Sequence, residues 1–321
     1  MKVLILTDAL KSNLREDEID TLLQVKAVKK ALLSLGHTIE IAQFSINLVL
    51  TGRRIERSGC DFVFNLVENL SSSRLLHLAP LLCQTLGIPH SGGSAYTLMV
   101  TGDKLLAKKQ LSLANLPTPL WIQKDEQTNL SALLHVPLLK KPVAQEASVG
   151  ITDASVCTYE QEKDVQDALQ TQNDIFLEQY IDGREFNISI LNGGRILPIS
   201  EMCFVDYPIG LPKIVGYEAK WEVDSFAYRH TQRTFSFKKE DEPLLEQLKQ
   251  LSKEVYTLFG ASGYARVDFR VDRNNCPYIL EMNSNPCIAY DSGFTAVAEQ
   301  AGLSYTQMID ILIKEGCNGV S

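Results

Sequence analysis

The stretch Arg266-Val-Asp268-Phe-Arg-Val-Asp-Arg-Asn274-Asn275-Cys-Pro-Tyr-Ile-Leu-Glu281-Met-Asn283 alternates apolar and polar residues on either side of an Asn-Asn pair. That is the pattern of a β-hairpin with a tight turn. With Asn274 and Asn275 as a two-residue loop, Asp268 falls opposite Glu281 and Arg266 opposite Asn283. Side chains alternate across a strand, so all four share one face of the ribbon. Facing carboxylates with a carboxamide form a hard-oxygen cluster suited to Mg²⁺, which takes few protein ligands and fills its shell with phosphate oxygens. A solvated polar face fits the same alternation. A slip of one residue would send the two carboxylates to opposite faces.

Other segments carry weaker signals. Lys140-Lys141-Pro-Val-Ala-Gln-Glu-Ala147-Ser148-Val149-Gly150-Ile joins a strand-end lysine to a loop of small residues. Small side chains let backbone N–H groups approach an anion and the lysine adds a point charge, which suits a polyphosphate; a surface loop beside a basic strand end reads the same way. Glu178-Gln-Tyr-Ile-Asp-Gly-Arg-Glu185 follows an apolar strand and holds a turn at Asp182-Gly183. It is either an ordinary strand–turn–strand connection or a hinge offering backbone groups to a purine edge, with Glu185 accepting from ribose hydroxyls. Tyr217-Glu-Ala-Lys220-Trp221 lies in a long segment of little periodicity, a lid that brings Lys220 to a phosphate or a solvated loop.

The elements that must position these residues read as α/β followed by α+β. Val3 to Thr7 is a buried parallel strand, Asp20 to Leu35 a helix stopped by Gly36, and His37 to Phe44 and Asp61 to Val67 further strands. This order predicts a small open α/β lobe over residues 1–95. The loop Gly87 to Ser94 leads into a helix from Ala95 to Asn115, ended by Leu116-Pro-Thr-Pro119. A second lobe, 96–181, carries a helix at Glu160 to Thr171 and a strand at Ile175 to Gln179. A third, 182–321, has strands at Glu185 to Leu191 and Ile196 to Met202, the hairpin, and helices at Glu242 to Phe259 and Phe294 to Gly302. The chain of 321 residues, 45% hydrophobic and 22% charged, has the composition of a soluble globular protein with more than one core. Its net charge of -8, with no run of Lys or Arg, argues against a nucleic-acid partner. Seven cysteines without C-x-x-C spacing suggest neither a disulfide framework nor a zinc site. The opening apolar run is too short for a signal peptide and no run reaches membrane-spanning length, so the expected compartment is the cytosol.

The order of these signals resembles the ATP-grasp superfamily: a lysine on a helix (Lys104), a lysine with a small loop, a purine-edge hinge, a mobile lysine, then Asp…Glu-x-Asn. Within it the chain is most similar to the D-alanine–D-alanine ligase group, from about Cys60 to Ile313. The resemblance implies an ATP-grasp fold preceded by an N-terminal α/β lobe, and a set of roles. Lys104 and Lys141 bind ATP phosphates under a flap of Ser148, Val149 and Gly150. Glu178 and the backbone of Gln179, Tyr180 and Ile181 read adenine, Glu185 holds ribose, and Leu280 packs under the base. Lys220 contacts the transferred phosphate. Asp268, Glu281 and Asn283 bind two Mg²⁺ ions, with Mn²⁺ a substitute, and Arg266 holds the reacting carboxylate and the tetrahedral intermediate. Carboxylate and amine substrates, ATP and a homodimer are implied with them.

The departures fall in the amino-acid pocket. The group has a serine in the small loop and a tyrosine after the lid lysine; here those positions are Ala147 and Trp221. The first loop, Thr7-Asp-Ala-Leu-Lys-Ser-Asn-Leu-Arg, lacks the usual glycine-rich segment, with Glu16 or Asp17 as a substitute acid. Cys287 replaces a loop glycine, where a Cβ would resist a positive φ. Ser292 matches a serine used for the second substrate's carboxylate. A ligase of different carboxylate and amine partners is therefore favoured over D-alanyl-D-alanine synthesis. A nucleotide-binding protein without turnover is a third option, opposed by the complete metal and lysine set.

Overall fold

The computed structural model describes residues 1–9, 15–124 and 130–318. It begins with β1 (Lys2–Thr7), α1 (Glu16–Ser34), β2 (Thr38–Gln43), α2 (Leu48–Ser58), β3 (Phe62–Leu66) and α3 (Leu78–Thr85). Next come α4 (Ala95–Thr101), α5 (Lys104–Leu113), β4 (Trp121–Gln123), β5 (Pro137–Pro142), β6 (Val156–Thr158), α6 (Glu162–Gln170) and β7 (Ile175–Gln179). β8 (Gly183–Leu191), β9 (Arg195–Ile196), β10 (Ser200–Phe204), α7 (Tyr217–Trp221), α8 (Phe226–His230) and β11 (Thr231–Thr234) follow. The chain closes with α9 (Glu242–Leu258), β12 (Ala265–Asp272), β13 (Pro277–Ser284), α10 (Gly293–Gln300) and α11 (Tyr305–Asn318). Among the described residues no helix is long and apolar enough to cross a membrane.

The first sheet is parallel, in the order β2-β1-β3. β1 is covered on both faces, which is why it reads as an unbroken apolar run rather than an alternation. Val3, Ile5, Phe62 and Phe64 pack on α1 and on Met308, Ile309 and Leu312 of α11. Leu4, Leu6 and Val63 pack on Ile55 of α2 and on Ala79 and Cys83 of α3. The last helix of the chain thus completes the core of its first sheet. Neither α2 nor α3 is among the elements expected from sequence. In α2 the buried face is Thr51, Gly52, Ile55 and Ser58, while the charged Arg53, Arg54, Glu56 and Arg57 are all exposed. Gly52 lies beneath Leu82, where a β-carbon would stand 3.5 Å from Cδ1. α11 also lies beyond the expected elements, although its buried Tyr305, Met308, Ile309, Leu312 and Ile313 have amphipathic helical spacing.

The other sheets are antiparallel: β4-β7-β5-β6, and β11-β10-β8-β12-β13 with β9 beside β8. The expected strand at Ile196 to Met202 is divided between β9 and β10, and Pro198, which has no N–H to donate, lies in the interruption. The expected helix from Ala95 to Asn115 is also divided. A β-carbon at Gly102 would lie 2.5 Å from Ser73 O, and Asp103 Oδ1 accepts from Leu106 N (3.0 Å) to start α5 afresh. That break places Lys104 in the first turn of α5.

Residues 180–182 join the two antiparallel sheets without a turn at Asp182-Gly183. Gly183 serves close approach instead, since a β-carbon there would lie 1.9 Å from Val271 O on β12. Gly183→Ala is therefore expected to destabilise the protein by about 1–3 kcal/mol through overpacking between β8 and β12. Urea unfolding of the variant checks this; a loss below about 0.5 kcal/mol, the range of neutral surface changes, would contradict the assigned contact.

Candidate active site

A cavity of about 570 Å³ is lined by residues from β5, β7, β8, β12 and β13. One wall is the β12–β13 hairpin. Asp268 pairs with Glu281 and Arg266 with Asn283, the register expected from sequence, but the turn differs. The loop spans residues 273–275, with Asn275 left-handed (φ 59°) and Asp272 N bonded to Cys276 O (3.0 Å). Asp272 Oδ1 accepts from Asn274 N (2.8 Å) and Cys276 N (2.9 Å), which a two-residue loop would not allow. The extra loop residue is offset by a bulge, because the pairing passes from Phe269–Ile279 to Asp268–Glu281 and skips Leu280. Leu280 and Glu281, neighbours in sequence, both line the cavity as a result.

Arg266 grips Asp268 with both arms, Nε to Oδ1 and Nη2 to Oδ2, each at 2.7 Å. Asn187 Nδ2 donates to Asp268 Oδ1 (2.8 Å) and Asn283 Nδ2 to Oδ2 (2.9 Å). Burial works to raise the Glu281 carboxyl, but Lys104, Lys141, Lys220 and Arg266 outweigh it and hold the group down at about 2. Glu281 is a carboxylate throughout the physiological range. Two carboxylates and a carboxamide, all hard oxygen donors, fit Mg²⁺ completed by ligand oxygens. Among the described residues no cluster of three or more His, Cys, Asp or Glu side chains offers a site built from protein alone.

Lysines face this wall. Lys104 Nζ lies 3.7 Å from Glu281 Oε2 and donates to Gln145 O (2.6 Å). Lys141 Nζ is 2.7 Å from Glu178 Oε1. The sequence reading overlooked Lys108, one turn beyond Lys104. Lys108 is 1% exposed, pairs with Glu178 Oε2 and donates to Thr118 Oγ1 (2.8 Å). Burial alone would raise the Glu178 carboxyl, but Lys108 and Lys141 overcome it and the group sits below its ordinary value. Glu178, Gln179, Tyr180 and Ile181 all line the cavity, as expected of the hinge. Arg270 is a second omission: its guanidinium lies over the rings of Tyr180 and Phe204 and 3.6 Å from Glu185, so it anchors both Tyr180 and Glu185.

The small loop and the expected lid meet across the cavity. Ser148 Oγ donates to Val215 O (2.8 Å), Trp221 Nε1 to Ala147 O (3.0 Å), and Tyr217 N to Ile151 O (3.0 Å). The lid is helical at α7 and not the irregular segment its sequence suggests. Ala147 and Ser148 adopt φ of 57° and 59°, left-handed values that residues with a Cβ take at some cost. Ala147 and Ser148 line the cavity, whereas Val149 and Gly150 lie outside its wall. Lys220 lines it too; burial and then Arg266 lower its pKa, with Glu281, Asp268 and Glu185 opposing.

At the other end, Trp221, Ser292 and Cys287 line the cavity as expected. Cys287 has no positive φ; Asn285 carries the left-handed turn instead (φ 55°), so the Cβ at 287 is not strained. The Cys287 thiol donates to Asp20 Oδ2 (2.9 Å). The acids lining this end include Asp20, Glu68, Glu146 and Asp291, whereas Glu16 is exposed and outside the wall. The Asp17 side chain and residues 10–14 of the first loop lie outside the described residues.

These features are those of ATP-grasp carbon–nitrogen ligases. The chain belongs to the D-alanine–D-alanine ligase family, whose D-ala D-ala ligase C-terminus matches residues 114–314. A D-alanine–D-alanine ligase of Synechococcus is 28% identical over 297 residues, covering 90% of this chain and 86% of that protein. The uncharacterized protein y4sG of Sinorhizobium fredii is 27% identical over 293 residues, covering 88% and 84%. Among solved structures, the D-alanine–D-alanine ligase of Bacillus anthracis complexed with ATP superposes with a TM-score of 0.75 at 21% identity, covering 100% of this chain and 98% of that one.

Glu68 generates a pH prediction. It is half-buried on the cavity wall, and Gln24 Nε2 donates to its Oε1 (2.8 Å). Burial, with Asp8, Asp20 and Glu146 adding repulsion against the opposing bond from Gln24, pushes it up from 4.5 to about 8. The unfolded chain ionises at the lower value and the fold resists ionisation until the higher one. The stability this group contributes is therefore complete below about pH 4.5, is lost as pH rises to about 8, and changes no further above that. Glu68→Gln should gain on the wild type steadily across that window and then hold a constant margin. Urea midpoints measured from pH 5 to 9 check this, and a margin that does not change with pH would contradict it.

Proposed function

We propose that this chain is an ATP- and Mg²⁺-dependent carboxylate–amine ligase whose amino-acid partners differ from a pair of D-alanines. The observation that carries the reading is the single wall bearing Arg266, Asp268, Glu281 and Asn283 opposite Lys104, Lys141 and Lys220. The ATP in the Bacillus anthracis structure supports the nucleotide. Lys104 and Lys141 hold phosphates beneath the flap of Ser148, Val149 and Gly150. Glu178 and the hinge from Gln179 to Ile181 take the adenine over Leu280, and Glu185, held by Arg270, takes the ribose. Asp268, Glu281 and Asn283 hold Mg²⁺, which when bound neutralises phosphoryl charge.

The substrate carboxylate attacks the γ-phosphorus and the bond to ADP breaks, giving an acyl phosphate. Lys220 lies where it offsets charge on the transferred group, and Arg266, fixed by Asp268, steadies the reacting carboxyl. The ammonium gives one proton to solvent to become the attacking amine; the C–N bond to the acyl carbon forms, the nitrogen releases a second proton, and phosphate leaves with the C–O electron pair. The latch between Ser148 and Val215 and between Trp221 and Ala147 keeps water from the acyl phosphate. The same reading takes residues 1–95, 96–181 and 182–321 as lobes of a cytosolic homodimer.

Trp221 commits its only side-chain donor to Ala147 O, so neither residue presents a free side-chain hydrogen-bonding group to the first amino acid, and the indole fills space beside it. A less polar carboxylate substrate than alanine follows. A second reading, D-alanyl-D-alanine synthesis, is favoured by the names of the relatives. ADP release across D- and L-amino acids, singly and in pairs, separates the two. D-alanine alone should stay below a kcat/KM of roughly 10⁴ M⁻¹s⁻¹ while another pair exceeds it, and Asp268→Ala should remove turnover for every pair. Efficient dipeptide formation from D-alanine alone would restore the second reading.

A further inference from the structure

Ser292, which family resemblance gives to the carboxylate of the amine substrate, has its hydroxyl committed elsewhere. Its Oγ accepts from Thr295 N (3.2 Å) as the cap of α10 and donates to Thr295 Oγ1 (3.1 Å). The Thr295 hydroxyl donates in turn to Ala289 O (2.7 Å), so the direction of the chain is fixed. A hydroxyl has one proton to give, and this one is used within the protein.

Arg233, on β11, lines the same cavity and is exposed to it. Among the described residues its guanidinium has neither an ion pair nor a hydrogen bond. Nη2 lies 3.0 Å and Cζ 3.6 Å from the point where a β-carbon on Gly293 would stand. The missing side chain at 293 is what lets the guanidinium lie against the residue following Ser292. Burial, and then the charge of Arg266, lower the Arg233 pKa from its ordinary value, so positive charge accumulates here without a protein counter-ion. Arg266 is satisfied by Asp268, whereas Arg233 offers a planar fork of donors with the geometry of a carboxylate.

We propose that Arg233, in place of Ser292, binds the carboxylate of the amine substrate, which is accordingly an amino acid or peptide-like amine and not a simple amine. Arg233 is thereby the residue that selects the second substrate. The proposal rests on the ligase reading above.

Hydroxylamine separates the two. It is an amine with no carboxylate, and its nitrogen attacks the acyl carbon of an acyl phosphate, releasing phosphate and a proton and leaving a hydroxamate. Wild type, Arg233→Met, Arg233→Lys and Ser292→Ala are compared with a panel of amino acids as carboxylates, using either hydroxylamine or an amino acid as the amine. Arg233→Met should lower the ratio of amino-acid-dependent to hydroxylamine-dependent kcat/KM by roughly 10- to 100-fold, the range expected when a charge-assisted hydrogen bond is lost. The loss should appear in KM for the amine; Arg233→Lys should recover part of it, and Ser292→Ala should move it less than about threefold. An unchanged ratio in Arg233→Met, or a larger effect from Ser292→Ala, overturns the role of Arg233 and leaves the ligase reading standing. Absence of hydroxamate from the wild type with every carboxylate overturns the ligase reading, and the role of Arg233 with it.

Discussion

Two carboxylates on one buried face repel each other and resist desolvation, and the rest of the site exists to make that face tolerable. Asp268 and Glu281 come together because the β12–β13 register sets them opposite each other. Arg266 answers one of them bidentately, and Lys104 lies within 3.7 Å of the other. Lys104, Lys141 and Lys220 line the same cavity, so positive charge faces the two carboxylates. The bulge at Leu280 belongs to the same constraint: without it the longer turn would carry Glu281 to the far face of the ribbon.

Charge compensation extends to the base end of the cavity. Glu178 is buried between Lys108 and Lys141, so removing either lysine would leave a buried carboxylate short of a partner. Lys141 is thereby fixed in position by Glu178. The substrate end is assembled differently, from distant parts of the chain. Gly93 N donates to Asn285 Oδ1 (2.7 Å), and Gly92 must be glycine because a β-carbon would lie 2.0 Å from that same oxygen. Ile288 N donates to Gln24 Oε1 (2.5 Å), tying the loop after β13 to α1. The return of α10 and α11 to the first sheet holds these contacts in place.

The hairpin was legible in sequence because period-two alternation and a turn pair suffice to set register. Its loop was misjudged by one residue and the bulge by another, and the two cancelled at the site. The hinge and the lysines were legible only through their order along the chain. Lys108 and Arg270 escaped notice for a physical reason: each is buried by a charge or a ring remote in sequence, and local pattern carries no trace of such pairing. α2 escaped because three of the four residues on its core face, Thr51, Gly52 and Ser58, are small, although Ile55 is buried among them and its charged residues all face out. Arg233 escaped because its significance depends on a missing side chain at Gly293 and a spent proton on Ser292, neither visible in residue types alone.

Oxygen transfer tests the account most directly. With ¹⁸O in the carboxylate of whichever substrate supports ADP formation, attack of that oxygen on the γ-phosphorus and its later departure carry one labelled atom into each inorganic phosphate. Phosphate bearing a single ¹⁸O for every amide formed is the predicted result. Unlabelled phosphate accompanying amide formation would contradict the acyl-phosphate route and the role assigned to the charged wall of β12 and β13.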